Sequence, residues 1–227
     1  MTPIKLTNRN TILTEPWGKD PDHPADFDLN IGIIQSTKHN FLVDTGRGSG
    51  SVALVLDYLH NTKKPLIVIN THADWDHYWG NHLFAEHQII AHQSCREALE
   101  QHWDKVWQQL AHKADGTVKK CLPNVTFTDR MDFHEDGVSI FHTPGHTPTC
   151  ISVYDSVDRV LYAGDNIGDT DDEILPVINT DLETFGTLIQ TYKGIDFDIC
   201  VSGHNKPQDY SVVARMEEAW LRLKSKA

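Results

Sequence analysis

The 227 residues suffice for one domain holding two sheets with covering helices. An apolar fraction of 39% and aromatics at 9% exclude a disordered chain. No stretch approaches the roughly 18 apolar residues of a membrane helix. The formal charge of −12, from 32 acidic and 20 basic residues, disfavours nucleic acid and anionic membrane as partners.

The first residues, Met1-Thr2-Pro3-Ile4-Lys5, carry no apolar core and do not read as a signal peptide. The expected setting is cytoplasmic, with a small-molecule substrate and a homodimer as the commonest assembly. Lys63-Lys64 and Lys119-Lys120 read as solvated surface. The four cysteines lack any Cys-x-x-Cys spacing and read as free thiols. Fourteen histidines are an unusual number, and imidazole is the commonest ligand for transition metals.

In chain order, the Pro-containing acidic stretch Trp17 to Asp28 reads as a loop. Strands are expected at Ile31–Ser36 and Asn40–Asp44, joined as a hairpin, and at Leu66–Asn70, whose apolar run suits burial on both faces. Further strands are expected at His87–Ala91, Val138–His142, Cys150–Tyr154, Val160–Ala163 and Asp198–Ser202. Helices are expected at Ser49–His60, Ser94–His112, Leu182–Tyr192 and Val212–Lys224. In the second, Ser94 and Glu97 form a capping box. Its stripe Ala98, Trp103, Val106, Trp107 and Leu110 reads as core. No linker or repeat divides the chain, so residues 1–227 read as one layered αββα domain.

Four motifs each follow an expected strand. They are Thr71-His72-Ala73-Asp74-Trp75-Asp76-His77, Thr143-Pro144-Gly145-His146-Thr147-Pro148, Gly164-Asp165 and Gly203-His204. Strand ends anchored in a sheet hold groups with the precision that metal ligation demands. Neutral imidazoles and ionised carboxylates bind divalent cations at neutral pH. Asp76 and His77 cannot easily share one metal with His72 and Asp74, which points to two metals bridged by a carboxylate. A lone Gly-Asp or Gly-His is usually a turn; four such motifs in this order are not.

This order and spacing resemble the metallo-β-lactamase superfamily: Asp44-Thr45-Gly46 after an early strand, then the His72–His77 segment, Gly145–Pro148, Gly164-Asp165 and Gly203-His204. The resemblance runs from about Ile31 to His204. It implies an αββα sandwich with the metals at one edge between the sheets. It also implies that His72, Asp74 and His146 hold one metal, that Asp76, His77 and His204 hold the other, and that Asp165 bridges. Asp74 departs from the histidine most hydrolases of the family carry there; the flavodiiron branch has a glutamate. With Asp74, three carboxylates and one hydroxide balance two divalent cations, which weakens their Lewis acidity. Zinc is the expected metal, and the harder oxygen ligand brings iron or manganese into range.

The expected activity is hydrolysis of an ester, lactone, thioester, phosphoester or related bond by a water or hydroxide held at the metals. Asp76 is the expected catalytic group, orienting the nucleophile and relaying its proton. The alternatives are an iron-dependent oxidoreductase, of persulfide-oxidising or diiron type, and a metal-binding protein without catalysis. With one expected helix after His204, the larger helical addition of glyoxalase-II-type thioesterases is not expected, which counts mildly against glutathione thioesters. Asp44 is expected to orient a ligand histidine. His82 and His87 read as surface, His142 as a strand residue, and Cys150 and Cys200 as buried thiols. Trp17 and Trp75 could line a pocket, Lys206 and Tyr210 could bind an anionic or carbonyl group, and Asp169, Asp171, Asp172 and Glu173 read as solvated loop.

Overall fold

The computed structural model describes residues 2–20, 23–59 and 62–226. The side chains of 17–20 and 23–27, Trp17 among them, lie outside that description, as does His60, the expected last residue of the first helix. Two sheets stack face to face. The first has seven strands in chain order: β1 (Thr2–Lys5), β2 (Asn10–Asp20), β3 (His23–Gln35), β4 (Asn40–Val43), β5 (Leu66–Ile69), β6 (Gln88–His92) and β7 (Val125–Phe127). Its pairing is antiparallel up to β4 and parallel from there to β7.

The second sheet contains β8 (Arg130–Phe133), β9 (Val138–His142), β10 (Ile151–Asp155), β11 (Val160–Gly164) and β12 (Ile199–Ser202). Their order is β12-β11-β10-β9-β8, with only β11 and β12 parallel. Because β9 and β11 both run antiparallel to β10, the C-terminal ends of β9, β11 and β12 lie at one end of the sheet.

Alternation of apolar side chains assembles the layers, since successive strand residues face opposite sides. Phe41, Val43, Ile67 and Ile69 meet Val153, Val160, Tyr162 and Val201 between the sheets. The intervening Leu42 and Val68 face the other way, onto Val52, Val55 and Leu59 of α1 (Ser49–Leu59). On the second sheet Leu161, Ala163 and Cys200 pack under α4 (Leu182–Lys193) and α5 (Ser211–Lys224). The expected four-layer αββα sandwich is thus the observed one. Each fully buried Leu, Ile or Val contributes about 1.5–3 kcal/mol. No helix of the described residues is long and apolar enough to cross a membrane.

Three local expectations need correction. Within the stretch from Trp17 to Asp28, residues 17–20 and 23–28 are strand rather than loop: β2 and β3 continue past the ends of β1 and β4 as a two-stranded ribbon, pairing Glu15 with Leu29, Pro16 with Asp28 and Asp20 with His23. Register shifts around Gly18 let the proline sit in it. The short strands β1, β7 and β8 carry too few apolar residues to stand out. Finally, α3 (Gln93–Leu110) follows β6 with no loop, so its cap is His92 rather than Ser94; the His92 ring accepts from Ser94 N.

Candidate metal centre

The four motifs converge where the ends of β5, β9, β11 and β12 meet. A backbone hydrogen bond from Ile151 N to Thr71 O (2.8 Å) ties the β5 end to the second sheet. Two more, from Asn30 N to Gly203 O (2.7 Å) and from Asp28 N to His204 O (3.1 Å), tie β3 to the β12 end. The short helix α2 (Trp75–Tyr78) starts just after Asp74 and carries Asp76 and His77 inward, both buried.

Each of the four imidazoles is fixed through Nδ1. His77 Nδ1 lies 2.8 Å from Asp44 Oδ2 and donates to it. His204 Nδ1 donates to Asp28 O (2.8 Å) and His146 Nδ1 to Val177 O (2.7 Å). His72 Nδ1 is 3.0 Å from Thr71 Oγ1, whose own hydroxyl donates to Asp44 Oδ2 at 2.7 Å. These partners each accept a proton from Nδ1 and turn every Nε2 toward the centre.

Around those nitrogens stand three carboxylates. Asp165 Oδ2 is 3.4 Å from His72 Nε2, 3.3 Å from His77 Nε2 and 3.2 Å from His204 Nε2, a position between two groups of donors. Asp74 Oδ2 is 2.9 Å from His146 Nε2 and 3.5 Å from His72 Nε2. Asp76 Oδ2 is 3.2 Å from His204 Nε2 and 3.6 Å from His77 Nε2. The donors sort into His72, Asp74, His146 and Asp165 on one side and Asp76, His77 and His204 on the other, with ligand atoms in each group within 4.8 Å of one another.

Several features of this arrangement fit a divalent cation in each group. His72 Nε2 and Asp165 Oδ1 are buried without a hydrogen-bond partner among the described residues, a costly state unless something else satisfies them. His77 Nε2 and His204 Nε2 face each other at 3.4 Å. Two lone pairs at that distance repel unless a proton or a metal cation lies between them. Gly203 leaves the room required: a Cβ there would sit 2.1 Å from Asp165 Oδ1 and 2.7 Å from His77 Cε1.

The electrostatics agree. Burial opposes charge on His77, yet Asp165, Asp76 and Asp44 outweigh it and push the imidazole up to about 10. His72 and His204 are raised well above the ordinary value by Asp165 and its neighbours, again against burial. Burial would raise Asp165, Asp74 and Asp76, but the imidazoles hold all three below the usual carboxylate range. The cluster is built to hold positive charge.

Other residues singled out in the sequence fall elsewhere. Trp75 packs on Trp79 with ring centroids 4.7 Å apart, in the cluster beneath α3. His142 stacks on His92 at 3.9 Å and donates to Pro148 O. The His82 ring lies against Trp79 O, and His87 is exposed beside Phe84. Cys150 and Cys200 are buried free thiols. Lys206 is paired with Asp171 at 2.6 Å, and Tyr210 donates to Lys193 O. Asp171 also accepts from Gln208, while Asp169, Asp172 and Glu173 line cavities beside Val177 and His204.

Sequence reasoning missed two supporting side chains. Thr71 relays Asp44 to His72. Asn166, fully buried, accepts from His146 N (2.9 Å) and donates to Thr143 O (2.9 Å). Its signal was a polar residue directly after Asp165 in an otherwise apolar surrounding.

Fold and site together define a four-layer αββα protein with a largely buried histidine and aspartate cluster suited to metal at the inter-sheet edge, Asp74 and His146 being its half-buried members. The metallo-beta-lactamase superfamily model matches residues 26–204, and the chain belongs to that superfamily. Among curated proteins it resembles the acyl-coenzyme A thioesterase MBLAC2 of Homo sapiens, at 21% identity over 181 residues. The Gallus gallus protein of the same name is 22% identical over 180 residues. These matches take in 67% of this chain and 63% and 62% of the two relatives, so the chain spans less than two thirds of their length. Among solved structures, TMB-1 superimposes with a TM-score of 0.80 at 15% identity, covering 98% of both chains. A metallo-beta-lactamase from Hirschia baltica gives 0.74 at 18%, covering 96% and 97%. At such identities the structures establish the fold.

Proposed function

We propose that the chain is a metal-dependent hydrolase of a thioester or related carboxylic ester. His72, Asp74 and His146 would hold one divalent cation, Asp76, His77 and His204 a second, and Asp165 would lie between them. The observation that carries this reading is the position of Asp165 Oδ2, within 3.2–3.4 Å of Nε2 atoms from both groups. The name carried by the MBLAC2 relatives supports the thioester among the bonds such a centre can cleave.

Bound cations supply Lewis acidity, polarising a carbonyl and making water more acidic. The chain's own residues do the rest. Asp44 and Thr71 keep His77 and His72 in one tautomer. Asp76, with its carboxylate beside His204, is placed to orient the attacking water, accept its proton and return it to the departing thiolate. The new C–O bond forms as the C–S bond breaks. Zinc is the first metal to test, with iron and manganese next because Asp74 adds a hard oxygen ligand.

The test is elemental mass spectrometry on protein purified without chelator, followed by thioester hydrolysis with the metal found. About two equivalents per chain and metal-dependent release of thiol are expected. One equivalent of iron with oxygen consumption would replace this reading with an oxidoreductase, and absence of metal after reconstitution would end both.

A further inference from the structure

Beside Asp74 a groove of about 340 Å³ opens between the α2 segment and α3. Ala73, Asp74 and Tyr78 form one wall, and Ala98, Leu99, His102, Lys105, Val106 and Gln109 form the other. The α3 residues recur every three or four positions and so share one helix face. The remainder of the expected core stripe turns away: Trp103, Trp107 and Leu110 pack beneath the helix with Trp79 and Cys95. The groove floor is apolar, and its size lies in the range of small-molecule sites.

Charge distinguishes this side of the centre from the other. The cavities beside His204 and Val177 are lined by Asp28, Asp169, Asp171, Asp172 and Glu173, and their one lysine, Lys206, is paired with Asp171. Lys105 and His102 are exposed, and neither has a hydrogen-bond or ion-pair partner among the described residues. Among the residues lining this groove Asp74 is the one carboxylate, and it faces His146 and His72, so the ammonium of Lys105 beside the apolar floor is free to attract an anion.

We propose that this groove is a substrate subsite for an apolar arm of a few carbons ending in an anion, with Lys105 and His102 as the residues that select it. The arm is either the acyl side or the thiol side of the substrate; the chemistry recognised is the same. The proposal rests on the hydrolase reading only for placing the scissile bond at the metal cluster.

Three non-hydrolysable thioethers separate the possibilities by calorimetry on the zinc-loaded protein. S-(4-carboxybutyl)-N-acetylcysteamine carries the carboxylate on the acyl-equivalent arm, S-pentyl-3-mercaptopropionate carries it on the thiol arm, and S-pentyl-N-acetylcysteamine carries none. One of the two anionic compounds should bind roughly tenfold tighter than the neutral one, as expected for a charge-assisted hydrogen bond. Whichever does so identifies the arm. Lys105→Glu, an exposed change checked by its melting temperature, should abolish that preference, and Val106→Trp should weaken the selected anionic compound by filling the groove.

Equal binding of all three compounds, or a carboxylate preference that survives Lys105→Glu, would overturn the subsite. Hydrolysis of an acetyl thioester is measured alongside. If it is absent while the preference holds, the hydrolase reading fails and the subsite stands. Hydrolysis without any preference leaves the reverse.

Discussion

Asp44 Oδ2 accepts both the Nδ1–H of His77 at 2.8 Å and the hydroxyl of Thr71 at 2.7 Å, while Asp44 Oδ1 accepts Thr71 N at 2.7 Å. One buried carboxylate therefore sets two imidazoles, His77 directly and His72 through Thr71. The backbone of Asp44 is left-handed, with φ of 65°, a conformation that costs about 1–3 kcal/mol for a residue with a side chain. Asparagine tolerates that region better than most residues, so Asp44→Asn keeps the backbone and removes one acceptor oxygen. The expected outcome is a loss of about tenfold in metal affinity for Asn and about a hundredfold for Ala. Competition against a chromophoric chelator measures this, and unchanged affinity in both variants would remove Asp44 from the site.

Asp76 has a different part, because its Oδ2 faces His204 Nε2 rather than anchoring an Nδ1. Asp76→Asn keeps shape and burial but cannot accept a proton. Turnover should fall by roughly 10²–10⁴-fold, the usual contribution of general acid–base catalysis. Near-wild-type turnover at full metal occupancy would exclude this role.

Metal removal should register as stability. A ligand held at 1,000 times its dissociation constant adds about 4 kcal/mol to the folded state. Chelation should lower the melting temperature of the wild type. Gly203→Ala, whose Cβ would meet Asp165 Oδ1 at 2.1 Å, should melt near the chelated value whether or not metal is added. A metal-induced rise of wild-type size in that variant would mean that Asp165 is not required at the centre.

The metal-type residues were legible because their chemistry fixes residue type and their strand ends fix place. His72, Asp74, Asp76 and His77 announce themselves by density. Asp165 and His204, each a commonplace Gly-Asp or Gly-His, gain meaning only from their order in the chain. The anchors were less legible. Asp28 and Val177 act through backbone carbonyls, which carry no side-chain signature. The ribbon between Glu15 and Leu29 has the proline and acidic content of a loop, and only its pairing makes it two strands. The α3 stripe read as one surface, but α2 covers part of it and leaves Ala98 and Val106 on the groove.

At the turn between β8 and β9, Asp136 joins the two sheets. Its carboxylate accepts from Ser36 Oγ, Lys38 N (2.7 Å), His39 N (3.1 Å) and His39 Nδ1 (2.6 Å), all from the β3–β4 turn. Burial works against its charge, but these donors hold it at about 2, below the ordinary 3.8. A depressed carboxylate stabilises the fold above its unfolded value and loses that contribution as pH falls from about 4 to about 2. The contribution is on the order of 1 kcal/mol once screening is allowed for. Urea unfolding of wild type and Asp136→Asn should therefore differ above pH 4 and converge toward pH 2. A difference independent of pH would mean that the carboxylate's charge is irrelevant.

His92 carries the opposite sign. Its Nε2–H donates to Thr128 O at 2.9 Å, leaving Nδ1 to accept from Ser94 N at 3.2 Å and cap α3. Burial lowers its pKa, and the His142 ring stacked at 3.9 Å adds to this against the pull of the Thr128 carbonyl. The folded chain thus keeps His92 neutral where the unfolded chain, near 6.5, begins to take up a proton. Its stabilising effect is complete above that pH and fades as pH falls below it. Protonation also turns the capping acceptor into a donor facing Ser94 N. His92→Ala should cost about 1 kcal/mol at pH 8, the usual worth of an N-cap, and less at pH 5. His92→Asn, which still accepts from Ser94 N, should retain the cap at both. Denaturation midpoints of the three proteins at these two pH values decide the matter: an Ala penalty that is no smaller at pH 5 would separate the cap from the protonation of His92.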